Sequence, residues 1–572
     1  MKNIEIANAL DEIANIMELK KIEWKPKAYR AASKELKNLT ENIKEIYQKE
    51  GKKGLENIPS IGSSIAQHII EYIKTGKVKK WEVLKKGMKK NIQELFKIEG
   101  LGPKKIKKLF DELNIENIND LKKALQKNKI KKLAGFGEKT EQNIIQSLSL
   151  YEKSQKRMLI SDVWFIANNI INYLKENCPM DKIDIVGSIR RMKETIGDID
   201  LLACTKNPKK LMNVFIKIPQ TLKILAKGDT KTSIILKGNI QIDLRIINKN
   251  SYGAALISLT GSKEHTIKLR KLAENKGYKF SEYGLTNKKN NKIIASKTEE
   301  EIYNKLGFEW IPPELRENKN EFKYASKNML PKLIQLKDIK GDLQMHTIYS
   351  DGLDSIKDMV KSAKNLGYDY IAITDHSKSE RIANGMDEKT IKKQWQEIKK
   401  ISKLEKFKIL KGAEVNIMSD GNLDYDDNIL KTLDIILVAI HSGFKSNKNK
   451  MTERILKGLS NKYVNIFIHP TGRLINKREG YNADFDKIFK ICKKNNIALE
   501  INCSPDRLDL NDQNIIKAKK HKVKFSLGTD AHNKNSLKNI IFGIGQAKRG
   551  WLEKKNIINT MTYKQLIKFL KK

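Results

Sequence analysis

Two aspartates two residues apart, in Gly197-Asp198-Ile199-Asp200-Leu201-Leu202, are the first residues in this chain whose type and spacing suggest chemistry. Side chains two apart on a strand share a face, so Asp198 and Asp200 would present their carboxylates together while Ile199 and Leu201 bury the other face. Asp243, in the alternating run Gln241-Ile242-Asp243-Leu244-Arg245, completes a trio if that strand pairs alongside. Hard oxygen donors converging at one point suit divalent cations such as Mg2+ or Mn2+. A pair of such ions about 4 Å apart activates a hydroxyl nucleophile and neutralises a leaving phosphate. Upstream, Gly187-Ser188 is expected to open a helix whose amides, with Arg191, suit the phosphates of a nucleotide. An Asp-x-Asp pair alone is as often a solvated strand edge; the Gly-Ser before it and Asp243 after it favour the metal reading.

A second group of ligand types lies in the C-terminal part, where strand and helix patterns alternate as in a β/α barrel. It comprises Gln344-Met345-His346, Ser350-Asp351-Gly352, Thr374-Asp375-His376, Ala413-Glu414-Val415, Ile440-His441-Ser442, Ile468-His469-Pro470 and Gly528-Thr529-Asp530-Ala531-His532. Five of the eight histidines fall in these motifs, mostly at predicted strand ends. A single such histidine is more often a packed core residue, but five joined by Asp351, Glu414 and Asp530 are not explained that way. Barrel geometry gathers C-terminal strand ends around one mouth. Histidine mixed with carboxylate favours Mn2+ or Zn2+ over Mg2+.

The elements ahead of both clusters read as helices joined by short glycine turns. Ile58-Pro59-Ser60-Ile61-Gly62, Ile98-Glu99-Gly100-Leu101-Gly102-Pro103-Lys104 and Leu133-Ala134-Gly135-Phe136-Gly137-Glu138-Lys139 each have the form of a helix-hairpin-helix. Such turns let backbone approach backbone closely and aim the next helix's amides at a phosphate. One turn is weak evidence, but three in a row predict a grip on the DNA backbone that is independent of sequence. The net charge of +44 permits a polyanionic partner without locating one, because the basic excess is spread over the whole chain. Cys178, Cys204, Cys492 and Cys503 form no CxxC pair, which excludes a cysteine zinc site and fits a reducing compartment. No run of about 18 apolar residues suggests a membrane span. The chain opens on an amphipathic pattern rather than a leader, so no signal peptide is expected; a cytoplasmic protein is expected, and a monomer.

The palm motifs are similar to those of the nucleotidyltransferase superfamily, and the spacing from Gly187 to Asp200 resembles the family X DNA polymerases. Tyr252-Gly253-Ala254-Ala255-Leu256, Thr260-Gly261-Ser262 and Ile311-Pro312-Pro313-Glu314-Leu315-Arg316 extend the likeness. The C-terminal motifs resemble the polymerase-and-histidinol-phosphatase (PHP) domain fused to bacterial and archaeal members. The resemblance covers essentially the whole chain and implies a multidomain α and α/β protein. Helix-hairpin-helix domains at 1–80 and 81–150 would precede a nucleotidyltransferase palm with a mixed sheet at 151–249. A nucleotide-pocket or thumb subdomain at 250–316, a polar linker at 317–337 and a distorted (β/α)7 PHP barrel at 338–572 would follow. It implies gap-filling DNA synthesis from deoxynucleoside triphosphates in repair, with a Mn2+-dependent 3′→5′ exonuclease in the barrel. Catalysis would fall to Asp198, Asp200 and Asp243. Arg157, Gly187, Ser188, Arg191, Gly197, Thr260, Gly261, Ser262 and Arg270 would hold the nucleotide. Gln344, His346, Asp351, His376, Glu414, His441, His469, Asp530 and His532 would bind up to three ions. Gly62, Gly100, Gly102, Lys104, Gly135, Gly137 and Lys139 would contact DNA.

Four departures from the family pattern carry expectations of their own. Ser258 and Leu259 replace the Tyr-Phe that crowds a ribose 2′-hydroxyl, and Thr266 replaces an asparagine that meets the base edge. His68 replaces the lysine that forms a Schiff base with a 5′-deoxyribose phosphate, so little lyase activity is expected. The first barrel motif is Gln-x-His rather than His-x-His, which should weaken one metal position. Three other readings are an inert, structural barrel, a stand-alone PHP phosphoesterase, and a DNA-end scaffold; the intact palm trio and the two ligand clusters speak against the last two.

Overall fold

The computed structural model describes residues 3–20, 22, 25–38, 43–85, 94–96, 98, 100–154, 157–238 and 240–571. Two compact units emerge: Met1–Gln155 with Asn476–Arg478, and Lys156–Ile475 with Glu479–Lys572.

The first unit is helical. Asn3–Leu19, Lys25–Asn38, Ile43–Glu56 and Ser63–Thr75 bury Leu10, Ile13, Leu36, Ile65 and Ile69 around Trp81. A second core gathers Leu95, Ile106, Leu109, Leu121, Phe136 and Ile144 between Pro103–Leu113, Ile118–Gln126 and Gly137–Ser154. The apolar residues recur every three or four positions, as an amphipathic helix needs to bury one stripe.

The second unit contains two sheets that matter for function. The first is mixed, in the order Lys182–Ile185, Ile199–Cys204, Ile240–Ile246, Lys231–Leu236 and Thr221–Lys227. Its central pair, Ile199–Cys204 with Ile240–Ile246, is parallel and the other pairings are antiparallel. A small three-stranded sheet (Tyr278–Ser281, Gly284–Asn287, Ile293–Ala295) packs with the helices Tyr252–Thr260, Lys263–Asn275 and Glu299–Lys305 in the following stretch. One buried carboxylate ties that stretch to the palm. Glu299 accepts two hydrogen bonds from Arg190 (2.7 and 2.9 Å), one from the fully buried Arg316 (2.8 Å) and one from Trp310 (2.9 Å). Paired this way, the charge offsets its own desolvation.

The second large sheet has seven parallel strands in sequential order: Gly341–Asp342, Tyr370–Ile373, Lys408–Asn416, Ile435–Ala439, Ile466–Phe467, Ala498–Asn502 and Phe525–Gly528. Their near-continuous apolar character follows from burial on both faces. A parallel bridge between Met345 and Ala531 closes the seam between first and last strands. The segment 317–337, expected as a polar linker, is folded: Glu321–Ala325 is a short helix, Phe322, Leu333 and Ile334 are buried, and His265 lies 2.7 Å from Glu321. No helix among the described residues is long and apolar enough to cross a membrane.

Candidate functional site

The parallel pairing of the two central palm strands sets Asp200 directly across from Asp243, and Asp198 stands immediately before the same strand as Asp200. Along that strand Ile199 and Leu201 are buried while Asp198 and Asp200 are half-buried, as alternation predicts. The three carboxylates influence one another. Burial, reinforced by the charges of Asp198 and Asp243, pushes the Asp200 carboxyl up to about 7. Burial also raises Asp243, but hydrogen bonds from Lys231, Gln241 and Ser233 outweigh it and hold this carboxyl below its usual value. Lys231 lies 2.8 Å from Asp243 and Gln241 3.0 Å. A half-buried cluster of carboxylates in which mutual repulsion raises one member is the electrostatic signature expected of a cation site. The donor set is all oxygen and fits Mg2+ or Mn2+.

Gly187 must be glycine here. Its φ is +65°, and a Cβ would come within 2.2 Å of the Asp200 carboxylate. The expected helix at Gly187-Ser188 is present as the single turn Gly187–Arg190. Arg157 bonds Thr195 Oγ1 (3.0 Å), with its guanidinium 3.6 Å from where a Gly197 Cβ would stand. Thr260 accepts from Arg190 (2.7 Å), and Ser262 caps the helix Lys263–Asn275 through the His265 amide (3.2 Å). Arg191 donates to the Thr260 carbonyl and, at 3.1 Å, to Glu317. Arg270 is exposed farther along the helix that Ser262 caps.

At the barrel mouth all nine expected ligands come together, the other eight, Gln344 included, gathering around Glu414. One Glu414 oxygen lies 2.9 Å from His441 Nε2, 3.2 Å from His469 Nε2 and 3.7 Å from His376 Nδ1. The other lies 3.3 Å from His346 Nε2. Asp351 is 3.3 Å from His532 and 3.7 Å from His376, and Asp530 is 3.1 Å from His346. Three sets have donor atoms within 4.8 Å of one another: His346, Asp351, His376 and His532; His376, Glu414 and His441; His346, Glu414 and Asp530. His346 Nε2 faces its carboxylates without hydrogen-bond geometry, and the buried Nδ1 atoms of His346 and His376 have no hydrogen-bond partner among the described residues. Burial lowers His376 to about 3, which leaves a neutral imidazole ready to ligate. These features fit a multinuclear metal centre.

Gln344 turns its amide nitrogen toward Glu414 (2.8 Å) and Asp530 (3.4 Å), the two carboxylates a cation at that position would draw on. Replacing Gln344 with histidine should raise bound metal per chain, measured by elemental analysis, and speed 3′ shortening about 10-fold, the lower end of what supporting interactions contribute at metal sites. No rise in either would show that glutamine already serves.

Sequence reasoning passed over several residues that the structure places around this centre. His441 Nδ1 meets the Asn416 amide oxygen (2.5 Å), which fixes the ring so that Nε2 faces Glu414. Glu500, fully buried in the middle of the sixth strand, accepts from the His469 amide (2.8 Å) and from Asn502 (3.2 Å). Arg507 approaches Asp530 at 3.5 Å. A lone acidic residue within a mostly apolar strand could have singled out Glu500. Asp375, quoted in its motif but given no role, anchors the first metal loop through Thr347 (2.7 Å) and Ser350 (2.6 Å).

In the helical unit all three turns form. Gly100, Gly135 and Gly137 have positive φ (88°, 82° and 59°). Gly62 and Gly102 have ordinary extended backbone, and a Cβ there would meet nothing within 4 Å. The fold itself thus does not require glycine at those two positions, whereas a closely approaching partner would. Lys104 and Lys139 are exposed; Glu99 lies outside the described residues. His68 is buried against Trp81 and 2.7 Å from the Tyr29 hydroxyl, and burial lowers its pKa. A buried imidazole forms no Schiff base. Borohydride treatment with a 5′-deoxyribose phosphate substrate should therefore give little covalent adduct, and an efficient cross-link would refute this.

Aligned with known proteins, the chain is 37% identical over 576 residues to the DNA polymerase/3′-5′ exonuclease PolX of Bacillus subtilis, covering all of both chains. The chain belongs to the family X DNA polymerases. Family models agree along its length: a helix-hairpin-helix domain at 1–78, a SAM-like helix-hairpin-helix tandem at 92–149, a DNA polymerase beta thumb at 255–317 and a PHP domain at 342–504. The Arabidopsis thaliana DNA polymerase lambda is 25% identical over 295 residues, 46% of this chain and 53% of that one. A probable phosphatase of Thermoanaerobacter is 32% identical over 205 residues, 33% of this chain and 78% of its own. The chain pairs a polymerase core with a PHP barrel, here with glutamine in the first metal motif.

Proposed function

We propose that this protein fills gaps in damaged DNA by adding deoxynucleotides at Asp198, Asp200 and Asp243, and trims 3′ ends at the barrel mouth. The observation that carries this reading is the register placing Asp200 opposite Asp243 with Asp198 beside them. Two Mg2+ or Mn2+ ions, when bound, would supply Lewis acidity and charge neutralisation. Asp198, Asp200 and Asp243 would hold these ions, with Lys231 beside Asp243, and Gly187 lets the turn pass close to the Asp200 carboxylate. Arg157, Arg191, Gly197, Thr260, Gly261, Ser262 and Arg270 form the nucleotide's surroundings. Ser258 and Leu259 offer no large ring against the sugar, so ribonucleotides should be excluded less strictly. In the barrel, Glu414, Asp351, Asp530 and the histidines would hold up to three Mn2+ or Zn2+ ions, with Gln344 as the weakest donor.

In this reading 1–80 and 81–150 grip the DNA backbone, 151–249 transfers the nucleotide, 250–316 shapes its pocket and 338–572 hydrolyses. The protein acts as a cytoplasmic monomer. Incubating it with one-nucleotide-gapped duplex, nucleotides and Mg2+ or Mn2+ should give extension. Omitting nucleotides should give 3′ shortening. Neither product would mean that the reading is wrong.

A further inference from the structure

The loop from Arg191 to Glu194 joins the phosphate-side turn Gly187–Arg190 to the short strand Thr195–Ile196, which precedes the strand carrying Asp200. Its geometry decides where Ser188 and Arg191 stand relative to the carboxylates. The palm holds the loop through three backbone hydrogen bonds: Met192 N–H to Ile189 (2.8 Å), Lys193 N–H to Ser188 (3.1 Å) and Ile160 N–H to Glu194 (3.1 Å). The C-terminal domain grips nearly every residue of the loop. Arg549, almost fully buried, donates to the Arg191 carbonyl (3.0 Å) and to Glu317 (2.9 Å), the same carboxylate that receives the Arg191 side chain (3.1 Å). Its other guanidinium nitrogen is fixed by Asp512 at 2.6 Å. Gln546 reaches the Met192 carbonyl (3.4 Å), and Met192 lies so close to Gly545 that a Cβ there would be 2.6 Å from its methyl group. Arg473 clasps Glu194 at 2.7 Å.

We infer that Arg549 is a positioning residue for nucleotide addition: through Glu317 and the Arg191 carbonyl, the C-terminal domain sets the arginine and the loop that meet the incoming triphosphate. This rests on the proposed polymerase reading. A guanidinium is suited to the task because its planar fork serves three acceptors in fixed directions, which a lysine ammonium matches only in part. Arg549 touches no ligand of the barrel's metal centre, so nucleotide use and hydrolysis should separate on its removal. The route from Arg549 to the triphosphate is two contacts long. A displacement of about 1 Å in such a group costs on the order of 10²-fold where geometry governs the reaction.

The test uses the full-length protein on gapped DNA, with nucleotide insertion measured as KM and kcat and 3′ shortening as a separate rate. Arg549→Met should raise KM for the nucleotide about 10-fold or more and change kcat far less, the signature of lost nucleotide binding. The KM for DNA and the shortening rate should stay as in the unmodified protein. Arg549→Lys should recover part of the loss. Because the methionine variant leaves Glu317 and Asp512 buried without their cation, Glu317→Gln provides a second reading that removes the link with little change of shape. It too should raise KM for the nucleotide while leaving shortening intact. If both variants insert nucleotides with unaltered KM, the inference is overturned. If Arg549→Met does not fold, an unaltered KM in Glu317→Gln overturns it alone. A protein that extends no primer before any substitution refutes the polymerase reading, which is a separate and visible failure.

Discussion

Replacing Asp243 with alanine should slow nucleotide insertion on gapped DNA by roughly 10³-fold, since a bound cation supplies several kcal/mol of charge stabilisation and each 1.36 kcal/mol is worth a factor of ten. Asp243 is the one member of the trio supplied by the neighbouring strand, where it sits opposite Asp200. Its removal leaves Asp198 and Asp200 on a single strand, unable to enclose a cation from two sides. It also frees Lys231, whose ammonium would then compete for the remaining carboxylates. The fold should survive, because Asp243 is only half-buried and its loss relieves repulsion at Asp200, a carboxyl that its charge helps to raise. Single-turnover insertion, with circular dichroism as the control for folding, gives the answer. Insertion within about tenfold of the unmodified rate would mean that the trio does not hold the reacting metals.

Glu414→Gln should abolish 3′ shortening to a comparable degree while leaving insertion in place. Glu414 contacts four of the barrel's histidines through its two oxygens, and it belongs to two of the three donor sets. Burial raises this carboxyl, yet the surrounding imidazoles hold it well below its usual value, so it supplies charge throughout the neutral range. Glutamine keeps the volume but not the charge, and a neutral amide is a poor bridge between cations. The variant should therefore carry fewer ions by elemental analysis and hydrolyse at least about 10³-fold more slowly, on the same conversion of several kcal/mol. Shortening at the unmodified rate with normal metal content would remove Glu414 from the centre. Loss of insertion along with shortening would mean that one site performs both reactions.

How far the sequence alone reached depended on how local each signal was. Alternation around Asp198 and Asp200 is visible because one face of that strand is buried, and a slip of one residue would reverse the pattern. That Asp243 lies beside Asp200 depends instead on strand order, with the Ile240–Ile246 strand inserted between earlier ones, and spacing along the chain does not encode that order. The barrel histidines were legible because histidine is rare here and recurs at strand ends. Glu500 and Asn502 escaped because Ala-Leu-Glu-Ile-Asn reads as one more buried parallel strand. The stretch 317–337 looked like a tether because its apolar residues are sparse, yet Phe322, Leu333 and Ile334 suffice to seat it. Glu317, Arg549 and Asp512 lie far apart in sequence, and nothing in their neighbours marks them as one network.

The bridge between Met345 and Ala531 does more than complete a ring of strands. The His346 amide donates to the Ala531 carbonyl (2.9 Å) and the Asp530 amide to the Gln344 carbonyl (3.1 Å), so the backbones bearing four ligand-position residues are stitched together where the sheet's two ends meet. Ions drawing on both edges at once would act as a clasp. On a ribosome that clasp has nothing to fasten until Asp530 and His532 have emerged, almost 190 residues after Gln344 and His346.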